Sequence, residues 1–410
     1  MDFYHTFTVV IVFAALFGYI NYRFIKLPNT IGIMILSLVA SLIMIALISL
    51  NPSLFLRGRE MIREIDFHEV LMNGMLSFML FAGAIHINAS DLKKERATIM
   101  TFSTVGVLIS TVIIGSLLYG ICILFELNIG YIYCLLFGAL ISPTDPIAVM
   151  GILKDAQIPK AMEIRIAGES LFNDGVAVVV FISILQIINA GIGNLQPGEI
   201  VLLFFQEAGG GLLLGAILGY IGFYAMRSID YYKVEVMITL AIVMGGYYLA
   251  EILHVSGPLA MVVAGIIIGN HARQHGMSAI TSDYVDKFWE IIDEVLNAVL
   301  FFLIGMEMLI VEFSMEYFWI GLICIGIVLV ARYISMLVPY LFLRKNNVFQ
   351  KYAVAILTWG GLRGGISVAL ALSLPKTEFN DLFVTITYII VLFSIIVQGL
   401  TIGRVVKKLT

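Results

Sequence analysis

The stretch Ile141-Ser142-Pro143-Thr144-Asp145-Pro146 interrupts an apolar run that is otherwise long enough to cross a membrane. Its two prolines cannot both lie inside a regular helix, because each lacks a backbone N–H donor and clashes with the preceding turn. A break in a membrane helix exposes backbone polar groups, which are tolerated only where they line a cavity or are buried in protein. The stretch therefore predicts a polar cavity inside a membrane protein, with the carboxylate of Asp145 beside it. Capping of a second half-helix by Asp145 is the alternative interpretation, and the two roles are compatible.

The composition of the whole chain is that of a membrane protein. Of its 410 residues, 60% are hydrophobic and 13% are charged, and the mean hydropathy is +1.02. Soluble domains contain about 25% charged residues, so most of the surface is expected to face lipid. The net charge of -4 gives no indication of a nucleic-acid partner, and no cofactor is expected. The three cysteines lie in apolar runs and predict no disulfide framework.

The hydropathy pattern predicts an all-α polytopic membrane protein. A helix needs about 20 apolar residues to cross the bilayer. Thirteen spans are predicted near residues 4–22, 30–50, 70–89, 98–125, 130–152, 164–190, 200–226, 234–252, 256–270, 288–310, 317–342, 352–374 and 381–403. We interpret residues 1–410 as a single transmembrane unit without a soluble domain. No lysine or arginine precedes the first span, so we do not interpret it as a cleaved signal.

The distribution of basic residues orients these spans. With the N-terminus outside and the C-terminus in the cytoplasm, the outer segments carry only Arg57, Arg59, Arg63 and Lys376. Arg332 and Arg363 lie inside spans, and every other lysine and arginine falls on the cytoplasmic side. This asymmetry is what the positive-inside rule requires of a multi-pass protein in the cell's inner (plasma) membrane. The chain ends soon after the last span, so no regulatory cytoplasmic tail is expected.

The sixth span carries a polar stripe within Gly168-Glu169-Ser170-Leu171-Phe172-Asn173-Asp174-Gly175. Glu169 and Asn173 are four residues apart, as are Ser170 and Asp174, so the four side chains cover one flank of the helix. Carboxylate, hydroxyl and amide oxygens are hard ligands, suited to Na⁺ or Li⁺. The alternative is that these groups form polar contacts between helices.

Two arginines inside spans also require an explanation, because charged groups are costly at membrane depth. Arg332 cannot lose its proton and needs a carboxylate. Glu169 is the preferred partner, which leaves Asp145 and Asp174 for transport. Arg363 lies in Gly360-Gly361-Leu362-Arg363-Gly364-Gly365, where four glycines weaken the helix.

The twelfth span is therefore interrupted, like the fifth. In an inverted repeat of spans one to six and eight to thirteen, these two spans correspond. Paired interrupted helices point to the binding site of a transporter. We expect the two breaks, one negative and one positive, to face each other in a core formed by residues 130–190 and 317–374.

Three motifs together identify a family resemblance: Thr144-Asp145-Pro146, Gly168–Gly175 and Gly361-Leu362-Arg363-Gly364-Gly365. In this order they resemble the motifs of monovalent cation/proton antiporters of the NhaP/NHE branch, over almost the whole chain. The resemblance implies a prokaryotic Na⁺/H⁺ antiporter with a dimerisation domain, a core domain with two crossed, unwound helices, and a homodimeric assembly. The stretch Glu294–Gly305 is similar to the family's tenth span.

The same resemblance implies roles for individual residues. Asp174 is the shared cation and proton site, and Na⁺ is bound at Asp174, Asp145, Ser170 and Thr144. Glu169 pairs with Arg332 in a structural ion pair, and Asn173 marks the branch that exchanges one cation for one proton.

The leading hypothesis is exchange of Na⁺ (or Li⁺) for H⁺ by alternating access, in which one buried carboxylate holds either ion. A K⁺/H⁺ antiporter is the nearest alternative, since the same ligands serve a larger cavity. A cation channel is disfavoured because no repeated carbonyl filter or charged ring is evident. An intramembrane aspartyl protease using Asp145 and Asp174 has no evident use for the two arginines, so we expect a transporter and not an enzyme.

Overall fold

The computed structural model describes residues 3–47, 59–60, 67–145, 158, 160–191, 197–310, 314–343, 352–374 and 379–409. Within these residues the secondary structure is helical, without a strand. The helices are α1 Phe3–Ile20, α2 Asn29–Ala46, α3 Phe67–Ile85, α4 Ala89–Leu124, α5 Tyr131–Ile141, α6 Lys160–Ala190, α7 Pro197–Arg227, α8 Tyr232–Ile252, α9 Gly257–Ile267, α10 Ala279–Glu307, α11 Met315–Leu343, α12 Ala353–Trp359, α13 Gly365–Leu372 and α14 Asn380–Leu409. Every predicted span overlaps at least one of them.

In the described part of the chain, nine helical stretches have the length and apolar composition of membrane spans. The prediction of an all-α polytopic membrane protein is confirmed. The count of thirteen crossings stays a prediction. One reason is that α5 ends after 11 residues, and the predicted continuation of its span, residues 146–152, lies outside the described residues. Another is that α12 and α13 are short helices of 7 and 8 residues that share one predicted span.

Two helices begin about nine residues before their apolar runs. Helix α4 begins at Ala89, where the side chain of Asn88 accepts a hydrogen bond of 2.9 Å from the Ser90 N–H. Helix α10 begins at Ala279, where the hydroxyl of Ser278 accepts one of 3.3 Å from the Thr281 N–H. These caps satisfy N–H groups that the first turn leaves unpaired. Hydropathy marks only the part of a helix that faces lipid, so it places both starts too late.

The helices around the site pack closely. Helix α4 contacts α5, α6 and α11, while α13 contacts both α5 and α14. Helix α9 lies between α3 and α7. The approach of α7 to α9 requires glycine, because a Cβ on Gly215 would lie 2.3 Å from the carbonyl oxygen of Ala260. Such small-residue contacts are a common way to join membrane helices. This packing holds α5, α6 and the α12–α13 break together.

Candidate cation site

Two unwound segments meet in the interior of the protein. Helix α5 ends at Ile141 and is followed by non-helical residues up to Asp145. Helix α12 ends at Trp359, and α13 begins only at Gly365. The backbone N–H of Asp145 donates a hydrogen bond of 2.8 Å to the carbonyl oxygen of Leu362, which joins the two segments directly. The predicted breaks therefore face each other, and each satisfies a backbone group that the other lacks.

Arg363 lies at the carbonyl end of α5. Its guanidinium is 2% exposed and donates from Nη1 to the carbonyl oxygens of Ser142 and Pro143, the latter at 3.0 Å. Its backbone N–H donates to Ser394 Oγ at 2.9 Å, where a π-turn opens in α14. A cation beside the C-terminal carbonyls of a helix is favoured by the helix dipole. The positive charge of Arg363 is thus directed at the backbone of the break.

The second buried arginine forms an ion pair with α6. Arg332 donates from Nη1 to Glu169 Oε1 at 2.9 Å and from Nη2 to Glu169 Oε2 at 2.8 Å. Both side chains are buried, at 5% and 2% exposure. The pair lies against the α12–α13 break, because a Cβ on Gly361 would lie 2.5 Å from Arg332 Nε. A bidentate pair of this kind fixes α6 relative to α11.

A polar network connects this ion pair to the break in α5. The side-chain amide of Asn173 donates to Glu169 Oε1 at 2.8 Å and to Thr144 Oγ1 at 2.6 Å. Its carbonyl oxygen accepts from the Thr144 N–H at 3.4 Å. The hydroxyls of Thr144 and Ser170 are 3.1 Å apart. Asn173 and Ser170 are therefore both engaged with Thr144, and they hold the unwound segment against α6.

A cavity of about 70 Å³ lies beside this network. Its polar lining includes Asp145, Thr144, Asp174 and Ser367, and its apolar lining includes Leu300. The volume exceeds the roughly 10–15 Å³ that one water molecule needs. Asp174 is 6% exposed, and its Oδ1 is buried with no hydrogen-bond partner among the described residues. A buried carboxylate oxygen without a donor is costly, so this atom is available to a bound proton or cation.

The predicted site residues thus fall into two groups. Asp174, Asp145 and Thr144 line the cavity. Ser170 and Asn173 do not line it in this conformation. They contact it only through Thr144, because their hydrogen-bonding groups point towards the break.

Two hydroxyls of the site were not predicted. Ser367, in α13, lines the cavity, and its Oγ is buried without a hydrogen-bond partner in the described ranges. Ser394 accepts from the backbone of Arg363. Serine is common in the apolar spans of this chain, so the sequence does not distinguish Ser367 and Ser394 from serines outside the site. Only the glycine-rich stretch just before Ser367 marks that part of α13.

Two unwound segments that meet beside a buried carboxylate are the arrangement of secondary transporters with paired, broken spans. Comparison with known proteins narrows this class. A family model described as sodium/hydrogen exchanger, transmembrane, matches residues 11–408. The chain therefore belongs to the sodium/hydrogen exchanger family.

Individual relatives are similar in sequence to this chain over nearly its full length. The chain is 53% identical to the Na(+)/H(+) antiporter NhaP of Pseudomonas aeruginosa, over 97% of this chain and 95% of that protein. It is 33% identical to the Na(+)/H(+) antiporter NhaH of Halobacillus dabanensis, over 94% and 93% of the two chains. The structure of the sodium proton antiporter MjNhaP1 from Methanocaldococcus jannaschii at pH 8 matches with a TM-score of 0.78 at 20% identity. That match covers 100% of this chain and 99% of the other, and it shows the same fold.

Proposed function

We propose that this protein is a secondary antiporter that exchanges Na⁺ (or Li⁺) for H⁺ across the membrane, and that the two ions compete for Asp174. The observation that carries the proposal is the buried Oδ1 of Asp174, which has no hydrogen-bond partner in the described part of the chain and adjoins the cavity that Asp145 also lines. Membership of the sodium/hydrogen exchanger family supports Na⁺ and H⁺ as the transported ions.

Competition at one carboxylate couples the two fluxes. A protonated Asp174 has no charge with which to bind Na⁺, and a carboxylate that holds Na⁺ has no room for the proton. The side-chain hydrogen bonds of the nearby arginines go elsewhere, from Arg332 to Glu169 and from Arg363 to backbone carbonyls, and neither satisfies the buried Oδ1 of Asp174. The Oδ1 of Asp174 is therefore available to the transported ion.

The ligands of the cation follow from the lining of the cavity. We assign Na⁺ to the carboxylates of Asp174 and Asp145 and to the hydroxyl of Thr144, all of which are hard oxygen ligands. Ser170 is 3.1 Å from the Thr144 hydroxyl and joins the ligand set when that hydroxyl turns towards the ion. Water fills the remaining positions of the cation's coordination shell.

The surroundings of Asn173 support an exchange of one cation for one proton. Its amide is engaged with Thr144 and Glu169, so it adds no second titratable group next to Asp174. With Asp174 as the one carboxylate over which the two ions compete, each transport cycle moves a single positive charge in each direction. We therefore propose electroneutral exchange by alternating access, in a homodimer as the resemblance implies.

We propose that the protein lies in the inner (plasma) membrane of the cell. In the proposed orientation, the N-terminus is outside and the C-terminus is in the cytoplasm. The asymmetry of lysine and arginine supports it. Labelling of intact cells with an impermeant thiol reagent tests it: a cysteine at Arg59 is modified from outside, and a cysteine at Lys93 is not. Modification of both would contradict the proposed topology.

Dye-reported proton flux in everted membrane vesicles tests the function. After respiration acidifies the vesicle interior, Na⁺ or Li⁺ should release protons from vesicles that contain the wild-type protein. Asp174→Asn should abolish this response at unchanged protein yield, because the amide keeps the size and removes the titratable charge. The matched control is Asp283→Asn, which removes an exposed carboxylate 2.7 Å from Lys287 and should leave exchange unchanged.

Three results would overturn the proposal. Exchange at the wild-type rate in Asp174→Asn would show that the shared site lies elsewhere. Proton release on addition of K⁺, but not of Na⁺ or Li⁺, would show that the protein is a K⁺/H⁺ antiporter. Cation flux without proton flux would indicate a channel.

A further inference from the structure

A line of polar side chains on α10 leads to the cavity. Asp293, Asn297 and Leu300 are spaced by four and then three residues, so they lie on one face of the helix. Leu300 lines the cavity together with Asp145 and Asp174. Seven residues of helix span about 10.5 Å. Asp293 is therefore about two turns from the cavity wall, towards the end of α10 that the positive-inside rule assigns to the cytoplasm.

Both polar residues on this face have a buried side-chain oxygen without a hydrogen-bond partner among the described residues. Asn297 is 1% exposed, and its Oδ1 is buried without a hydrogen-bond partner among the described residues. The Oδ1 of Asp293 is likewise buried and has no partner in those residues. The Asn297 amide donates to the backbone carbonyl of Asp293 at 2.8 Å, which holds its side chain beside the Asp293 carboxylate. Buried oxygens are normally hydrogen-bonded, so this pair requires an explanation.

Two other polar residues of α10, Glu294 and Trp289, have hydrogen-bond partners on neighbouring helices. The side chain of Glu294 accepts a hydrogen bond of 2.5 Å from Asn29 on α2. The indole N–H of Trp289 donates to the hydroxyl of Thr239 on α8 at 3.0 Å. Contacts of this kind join α10 to its neighbours. The Oδ1 atoms of Asp293 and Asn297 make no such contact with the described residues of neighbouring helices.

The charge of Asp293 is coupled to the transport site. Asp145 lies on the wall of the cavity that Leu300 of α10 also lines, and like charges on the Asp145 and Asp293 carboxylates repel each other. A cation between them relieves this repulsion and is attracted by both groups. One carboxylate oxygen and one amide oxygen are also hard ligands for a monovalent cation.

We propose that Asp293 and Asn297 form an access site at which a monovalent cation from the cytoplasm binds before it reaches Asp145 and Asp174. This inference rests on the proposed antiport function. It adds a second, weaker cation position on the cytoplasmic path and assigns it to α10. The pair affects how the transport site is loaded from one side of the membrane, while competition with the proton remains at Asp174.

Exchange measured from each face of the membrane tests the access site. In everted vesicles, where Na⁺ is added to the cytoplasmic face, Asp293→Asn should raise the Na⁺ concentration for half-maximal exchange by about threefold or more, since loss of one fixed charge lowers the local cation concentration. The maximal rate should change much less. In right-side-out vesicles the half-maximal concentration should stay at the wild-type value.

Two further variants separate access from folding and from general surface charge. Asp293→Glu keeps the charge and should retain the wild-type Na⁺ dependence. Glu290→Gln removes an exposed carboxylate one turn away on α10 and should also leave it unchanged. Protein yield and melting temperature in detergent should be the same for all three variants.

The possible results are distinct. The access site would be overturned if Asp293→Asn shifted the half-maximal Na⁺ concentration equally from both faces, or from neither. It would also be overturned if Glu290→Gln produced the same shift as Asp293→Asn. A shift seen only in right-side-out vesicles would overturn its cytoplasmic position. Failure of the proposed function would instead appear in the wild-type protein, as an absence of Na⁺-dependent proton release.

Discussion

Replacement of Arg332 by methionine leaves the Glu169 carboxylate in the protein interior without its cation. In the wild-type protein this carboxylate is 2% exposed and accepts two hydrogen bonds from the guanidinium, at 2.9 and 2.8 Å. Methionine keeps much of the length of arginine and adds no polar group. The substitution therefore tests the ion pair with little change in packing.

The size of the effect follows from what remains around Glu169. Removal of one partner of a buried ion pair typically destabilises a protein by about 3–5 kcal/mol. The amide of Asn173 still donates to Glu169 Oε1 at 2.8 Å and satisfies part of the carboxylate. The expected loss is therefore at the lower end, about 3 kcal/mol. The double variant Glu169→Gln/Arg332→Met removes both charges and should lose less than the single variant.

Thermal unfolding in detergent, followed by fluorescence-detected size-exclusion chromatography, measures this difference. Arg332→Met should melt several degrees below the wild-type protein and reach a lower yield in the membrane, and the double variant should recover part of both losses. Lys287→Met is the control, because it breaks an exposed ion pair with Asp283 and should change the melting temperature little. A wild-type melting temperature in Arg332→Met, or a double variant no more stable than the single one, would refute the reasoning.

Three further outcomes are expected. Because H⁺ competes with Na⁺, the Na⁺ concentration for half-maximal exchange should rise as pH falls, and it should approach a rise of about tenfold per pH unit once the site is mostly protonated. Initial rates in vesicles at several pH values measure it, and a pH-independent value would contradict a shared site. Asn173→Asp should lower both melting temperature and exchange, since it replaces an amide donor 2.8 Å from Glu169 by a second carboxylate; electrogenic exchange at the wild-type rate, seen with a potential-sensitive dye, would contradict this. Gly364→Ala should slow exchange about tenfold or more at unchanged yield, because the added Cβ would lie 2.5 Å from Asp145 Oδ2 and displace that carboxylate. Exchange at the wild-type rate in this variant would show that the close approach of Gly364 to Asp145 is not needed for transport.

Much of the site could be predicted from the sequence because its elements are local. The two prolines around Asp145 and the glycines around Arg363 break their helices wherever those helices pack. The spacing of Glu169, Asn173 and Asp174 places polar groups on one flank of α6, whatever that flank faces. These properties depend on neighbours within a few residues, so they can be read without a structure.

The roles of the same polar groups depend on contacts across the fold. Asn173 and Asp174 are adjacent in the sequence, yet one is engaged with Thr144 and Glu169 while the other keeps a buried carboxylate oxygen without a partner in the described ranges. Arg363 is directed at carbonyl groups more than 200 residues away in the chain. Asp293 and Asn297 do not stand out from other polar residues of their span until the cavity beside Leu300 is located.

The sequence by itself determined that this chain is a helical membrane protein with two interrupted spans, a polar flank on α6 and an asymmetric distribution of basic residues. Only the tertiary structure decided which charges are matched inside the protein and which oxygens remain for an ion. The reason is physical: helix formation and helix breaking depend on nearby residues, whereas the energy of a buried charge depends on every group packed around it. Those groups come from helices that are distant in the chain and adjacent only after folding.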